Sequence, residues 1–183
     1  MKPGIYLFPQ VLFQQEMIMH GLQHEIGKRN PFESAAQEAH LNIVRTASVL
    51  EGAGLPLFRA HGLTSSSYNA LRILRGEGPC PCQRIGERLV VRVPDVTRLV
   101  DRLERMGLAE RDRSKEDRRV VLVGITDEGR RVLSELDGPV LALHQRQQEH
   151  LSEGELRELS RLLEKVRCVY AAPCEGAAAR GEA

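Results

Sequence analysis

Val93-Pro-Asp-Val-Thr-Arg-Leu-Val-Asp-Arg-Leu-Glu-Arg-Met-Gly107 and, after a charged stretch, Asp117-Arg-Arg-Val-Val-Leu-Val-Gly-Ile-Thr126 decide the fold. In the first segment Val96, Leu99, Val100, Leu103 and Met106 recur at intervals of three and four, which predicts one apolar stripe along a helix. Asp95, Arg98, Asp101, Arg102 and Arg105 are left on the other side. Gly107 predicts the helix end, and the β-branched run Val120–Ile125 predicts a strand that returns from a charged turn. A short helical pattern, Cys82–Leu89, precedes these elements, with Pro81 near its first turn and Pro94 in the same role for the next helix. Helix, helix and basic hairpin in that order predict a winged helix-turn-helix.

Charge alone is a weaker guide. The 183 residues carry a formal net charge of +1. From Arg84 to Arg119, eleven Lys or Arg stand against eight acids, a modest local excess. The pattern matters more, because a major groove about 12 Å wide admits one helix whose N-terminal residues reach the base edges. Arg92 and Arg98 are candidates to donate to guanine, Thr97 to touch a thymine methyl or a phosphate, and Asp95 to accept from cytosine or orient an arginine. Gln83 and Arg84 open the preceding helix, where free N–H groups favour a phosphate. Arg102 extends the basic face, and Arg118 or Arg119 at the hairpin tip fits the adjacent minor groove. Alternating charges also mark a solvated, ion-paired helix face, the reading preferred for Asp101, Glu104 and Arg105.

Working outward, residues 1–33 form an extension without firm periodicity, either an arm for a partner subunit or residues preceding a true start at Met17 or Met19. Ser34-Ala-Ala-Gln37 reads as a capping box opening a first long helix across 34–62, which Gly52, Gly54 and Pro56 are expected to weaken or kink before Leu57-Phe58 resumes it. The DNA-binding lobe is assigned to 63–126. Within it Thr64 caps a helix offering Tyr68, Leu71, Ile73 and Leu74 to the core. Two further helices are expected across 127–170: one running from Thr126 to about Leu151 with a bend at Gly138-Pro139, the other opened by a capping box at Ser152-Glu-Gly-Glu155. Residues 171–183 read as a fraying tail. The fold class is thus mainly α with a small β-hairpin wing, flanked by N- and C-terminal dimerisation helices whose apolar stripes one lobe cannot cover.

The two decisive segments resemble the MarR family of transcriptional regulators. Asp117, Arg119, Ile125 and Thr126 are similar to its wing signature (Asp, any residue, Arg, five residues, Leu, Thr), with Ile125 in place of the usual Leu. Thr97–Leu108 is similar to its recognition helix and exit, and the resemblance covers roughly Ser34–Val169. It implies a homodimer that reads a pseudo-palindrome, usually as a repressor released by a small ligand or an oxidant. It also implies that Asp117 braces an arginine of the lobe while Arg119 enters the minor groove. The alternative is a helical protein-interaction module that keeps this scaffold without binding DNA.

Other chemistry is sparse. Cys80-Pro-Cys82 lacks the further ligands a metal needs. The pair serves either as small apolar fillers or as redox sensors, since a helix N-terminus at Cys82 favours a thiolate. Cys168 and Cys174 are weaker candidates, and the histidines, His20 and His24 included, are scattered. There is no phosphate loop, nucleophile elbow or zinc-protease motif, so neither an enzyme nor a resident cofactor or metal is expected. With no apolar run of membrane-spanning length and no cleavable leader, the expected location is the cytoplasm.

Overall fold

The computed structural model describes residues 21–114 and 116–170. Lys115, the first twenty residues with His20, and the expected tail with Cys174 lie outside the described residues. The chain divides into two units at Pro56. In the first, helix α1 is Gly21–Glu25, and α2, Ala35–Arg59, begins there. Ser34 Oγ accepts from the N–H of Gln37 at 3.1 Å, while the Gln37 side chain accepts from Glu33 N at 2.9 Å, one residue earlier than a capping box requires. Glu25 and Arg45 are ion-paired at 2.6 Å.

The expected weakening near Pro56 does not interrupt α2, whose 25 residues run through it. Proline in a helix interior costs about 3 kcal/mol because one N–H is lost and the ring crowds the carbonyl four residues back. Here that residue is Gly52, exposed to solvent, which can hydrate the freed carbonyl. The turns on both sides then carry the helix across, as cooperative propagation allows. After Arg59 the chain turns through Gly62, whose φ of +69° suits glycine.

The second unit holds the lobe. Helices α3 (Ser65–Glu77), α4 (Cys82–Arg88) and α5 (Val96–Arg105) pack on one another. Strands β1 (Ala109–Arg113) and β2 (Val121–Ile125) pair antiparallel, Ala109 opposite Ile125 and Arg113 opposite Val121. Cys80 adds a bridge to Val123, with backbone N–H···O bonds of 3.0 and 2.8 Å, so a third chain segment lies along the wing. Helices α6 (Asp127–Gln148) and α7 (Glu153–Arg167) follow, then a short 3₁₀ turn, Cys168–Tyr170. As expected, Ser152 and Glu155 form a reciprocal capping box.

The core is one cluster. Leu71 and Leu74 of α3, Ile85 of α4, Val100 and Leu103 of α5, and Leu133 and Leu136 of α6 are fully buried. Burying one such side chain stabilises by about 1.5–3 kcal/mol, so these contacts dominate the lobe. The stripe on α5 is confirmed: Val96, Leu99 and Met106 pack partly buried against the same cluster. Pro94, however, stands one residue before the cap, since α5 starts at Val96 behind Asp95. By contrast α7 has no buried residue, and Leu159, Leu162 and Val166 lie about half exposed in the single chain. Among the described residues no helix is long and apolar enough to cross a membrane.

Candidate nucleic-acid interface

The recognition helix α5 is fixed at both ends by its own sequence. At its start Asp95 Oδ1 accepts from the N–H of Arg98 at 2.9 Å, and Oδ2 lies 3.2 Å from the Arg98 Nε. Asp95 therefore caps the helix and orients an arginine. At its end Gly107, at φ +69°, donates to Glu104 O, and Leu108 N donates to Leu103 O at 2.9 Å. That is a Schellman stop, with Leu103 and Leu108 both buried beneath it. The preceding turn is tied down by Asn69, whose side-chain oxygen accepts from Val90 N at 2.9 Å.

Between these stops the exposed arc of α5 carries Thr97, Arg98, Arg102 and Arg105. Arg98 is 86% exposed, its guanidinium held near the helix start by Asp95. Arg102, exposed on this arc, donates from one guanidinium nitrogen to Gly62 O at 2.8 Å and pins the turn before α3. Asp101 and Glu104 are ion-paired, as the charge alternation predicts, but to Arg111 of β1. Arg105 departs from that reading, since its Nε donates only to Asp101 O at 3.3 Å and no acid among the described residues pairs with it. The sequence signal for Arg105 was its helical position, on the same arc as Arg98 and Arg102.

In α4, Arg84 lies 3.2 Å from Glu77 and 3.5 Å from Glu87, and Gln83 donates to Glu87 at 3.0 Å. Hydrogen bonding to Glu77 raises the Arg84 pKa, so its charge is shared with acids. Arg92, in the turn before α5, is exposed and has no acid partner among the described residues.

At the wing, Ser114 N donates to Val120 O, and Ser114 Oγ accepts from the N–H groups of Glu116 and Asp117. Among the described residues no guanidinium is paired with Asp117, the brace that the resemblance implied. Its carboxylate accepts from the main-chain N–H of Arg119 at 2.9 Å and so shapes the tip turn that presents Arg118 and Arg119. Both arginines are exposed and lack an acid partner among the described residues. On the outer sheet face Glu110, Asp112 and Glu116, together with Arg113, Pro79 and Leu122, border a cavity of about 410 Å³.

Thr126 closes the hairpin. Its hydroxyl donates to Gly107 O at 2.7 Å and accepts from Gly129 N at 3.1 Å, capping α6, while its own N–H reaches Leu108 O at 3.2 Å. Cys80 is buried at its bridge to Val123, and burial pushes its thiol pKa up, which supports the small-filler reading. Cys82 is half-buried at the start of α4.

The comparisons with known proteins agree with this geometry. A family model described as "MarR family" matches residues 63–121. The chain is 34% identical over 109 residues to the uncharacterized HTH-type transcriptional regulator YkoM of Bacillus subtilis, covering 59% of this chain and 70% of that one. It is 31% identical over 110 residues to the HTH-type transcriptional regulator MgrA of Staphylococcus aureus, covering 60% and 74%. Among solved structures, a MarR transcription factor from Planctomyces limnophilus superposes with TM-score 0.56 at 41% identity, over 74% of this chain and 99% of that one. A mutant MarR from E. coli complexed with operator DNA superposes with TM-score 0.64 at 25% identity, over 69% and 95%. With its helix-turn-helix and wing closed by an Asp117–Thr126 signature, the chain belongs to the MarR family of transcriptional regulators.

Proposed function

We propose that this regulator binds a pseudo-palindromic duplex operator as a homodimer, acting in the cytoplasm as a repressor that a small ligand releases. One observation carries the DNA reading. A helix with one buried face offers Thr97 and Arg98 at its N-terminal end, while the wing tip offers Arg118 and Arg119, which have no acid partner among the described residues. The related MarR structure holds operator DNA, which supports the same use of these elements. Thr97 and Arg98 then read the major groove, Arg92 and Arg105 meet phosphates, and Arg119 enters the minor groove. Burial of the Cys80 thiol argues against oxidation there and leaves half-buried Cys82 as the candidate for an oxidant-driven release.

Dimerisation follows from what the single chain leaves uncovered. Leu159, Leu162, Val166, Val169 and Tyr170 are exposed at the C-terminal end, as are Leu141 on α6 and Ile43, Val44 and Val49 on α2. An isologous contact between such faces would set two recognition helices about 34 Å apart, one DNA turn. Fluorescence anisotropy with DNA from upstream of the gene, over a salt series, tests the reading alongside sedimentation equilibrium. A dimer with a salt-sensitive, sequence-dependent complex is expected. Equal affinity for scrambled DNA would overturn operator binding, and a monomer in the complex would overturn the two-fold arrangement.

A further inference from the structure

Besides the Thr126 tie at its base, the wing is bonded to the recognition helix by a side chain that neither the helix stripe nor the wing signature contains. Arg111 stands in the middle of β1, opposite Val123, on the strand face that meets α5. Its guanidinium lies 2.7 Å from Asp101 Oδ1 and pairs more closely still with Glu104. These carboxylates sit three residues apart, one turn of α5. A planar fork holding two points one turn apart resists both sliding and rolling of the helix against the strand. The Arg111 side chain is 26% exposed, against 86% for Arg98, so it is shielded where Arg98 is presented. Burial opposes its charge, yet hydrogen bonds and the field of the two acids raise its pKa overall.

We propose that Arg111 is a positioning residue for DNA recognition: through Asp101 and Glu104 it locks the recognition helix to the wing, so that major-groove and minor-groove contacts fall in register on one operator. The inference rests on the DNA-binding reading above. The apolar stripe holds α5 in the core, but Val100 and Leu103 contact it from one side, and apolar contacts are non-directional. The two ion pairs, one from each terminal nitrogen of the guanidinium, supply direction. Random DNA asks only for phosphates within reach of cations, whereas an operator asks that Arg98 and Arg119 meet their sites together. Loss of the lock therefore falls on discrimination.

Two variants with opposite effects on charge separate this from simpler roles. Arg111→Ala removes a cation, and the Asp101→Asn/Glu104→Gln double variant removes two anions. Wild type and both variants are titrated with operator and random duplexes across a salt series, with thermal melting to confirm folding. The lock predicts that the operator-to-random affinity ratio falls about tenfold in each variant, roughly the 1.4 kcal/mol of one misplaced contact. It also predicts that random-duplex affinity stays within about threefold for Arg111→Ala. For the double variant charge alone predicts tighter binding to both duplexes, so reduced discrimination there is the distinctive result. An unchanged ratio in the double variant overturns the proposal. So does an equal loss on both duplexes by Arg111→Ala with a salt slope lower by about one, the mark of a direct phosphate contact. Should Arg111→Ala melt before it can be titrated, Arg111→Lys, which keeps the charge but not the fork, is expected to show the same tenfold fall, and a wild-type ratio would overturn the lock. If wild type itself shows no preference for the operator, the DNA reading falls instead.

Discussion

Gly129 lies in the first turn of α6, where helix propensity alone favours alanine by about 1 kcal/mol. The structure reverses that expectation. A Cβ built there would lie 2.2 Å from Leu108 O and 2.8 Å from Ile125 Cγ1, and the nearer atom is backbone, which cannot swing aside. Carbon–oxygen contacts settle at about 3.3–3.6 Å, so the helix start must retreat by roughly 1 Å from the strand end. That retreat stretches the Thr126 bonds to Gly107 O and Leu108 O, each contributing about 1 kcal/mol. Overpacking adds about 1–3 kcal/mol. After subtracting the propensity gain, Gly129→Ala is expected to destabilise by about 2–4 kcal/mol. At about 2–4 °C per kcal/mol for a chain this size, the melting temperature falls by roughly 5–15 °C. Circular dichroism or calorimetry at one fixed protein concentration measures it, because the proposed dimerisation would make melting concentration-dependent. Gly76→Ala in α3, with nothing within 4 Å of its added Cβ, serves as control and is expected to be neutral or up to about 1 kcal/mol stabilising. A Gly129→Ala protein melting at or above wild type would refute the close-approach argument.

Arg119→Ala is expected to weaken operator binding and lower the salt slope by about one, with the melting temperature unchanged; an unaltered slope would remove Arg119 from the groove. Arg98→Ala should relax preference at one base position per half-site by about 1–3 kcal/mol, seen by titrating single-substituted operators, whereas uniform weakening would mark it as a phosphate contact. Native-state alkylation followed by mass spectrometry should label exposed Cys168 before half-buried Cys82 and Cys82 before buried Cys80, and labelling of Cys80 ahead of Cys82 would contradict its burial. Arg75 binds Asp137 through two hydrogen bonds of 2.7 and 2.8 Å, and this bonding holds the carboxyl below its usual range. A depressed folded pKa gives stability that is present above the unfolded value near 4 and lost as pH falls through the folded one. Melting curves of wild type and Arg75→Ala should therefore separate above about pH 4 and converge below it; solvent screening keeps the gap under about 1 kcal/mol, and a gap that widens in acid would contradict the assignment.

Features encoded within one or two turns of chain were readable from the residues. The stripe from Val96 to Met106, the Thr64 cap and the Ser152–Glu155 box depend on neighbours three or four positions away, and each appears where expected. What escaped needed a partner distant in sequence. The Cys80 bridge pairs with a strand 43 residues later, and nothing in Pro79-Cys-Pro81 announces it. Arg102 looked like a free cation until Gly62, 40 residues earlier, took its guanidinium. Pro56 is the opposite case: a local rule was sound, but the cooperativity of a 25-residue helix outweighed one lost bond. The acidic members of the α5 arc were legible as paired and Arg105 was not, because only the fold shows that Arg111 occupies both acids.

The wing signature can now be read as mechanics. Asp117 at one end of β2 holds the main chain of Arg119, so the cation is offered from a fixed turn. Ile125 at the other end is buried, anchoring the strand where Ala109 pairs with it. Thr126 then performs three tasks with one residue: it caps α6, reaches back to Gly107 at the exit of α5, and bonds Leu108 at the entry to β1. Valine at this position would keep the shape but lose the hydroxyl, and with it both the cap and the tie to the recognition helix. The hairpin is therefore clamped to α5 at two levels, by Thr126 at its base and by Arg111 midway along β1. A base clamp alone leaves a hinge, because rotation about one point preserves it. The second clamp removes that freedom, and this is why a strand arginine outside the signature should govern discrimination while the signature residues govern presentation.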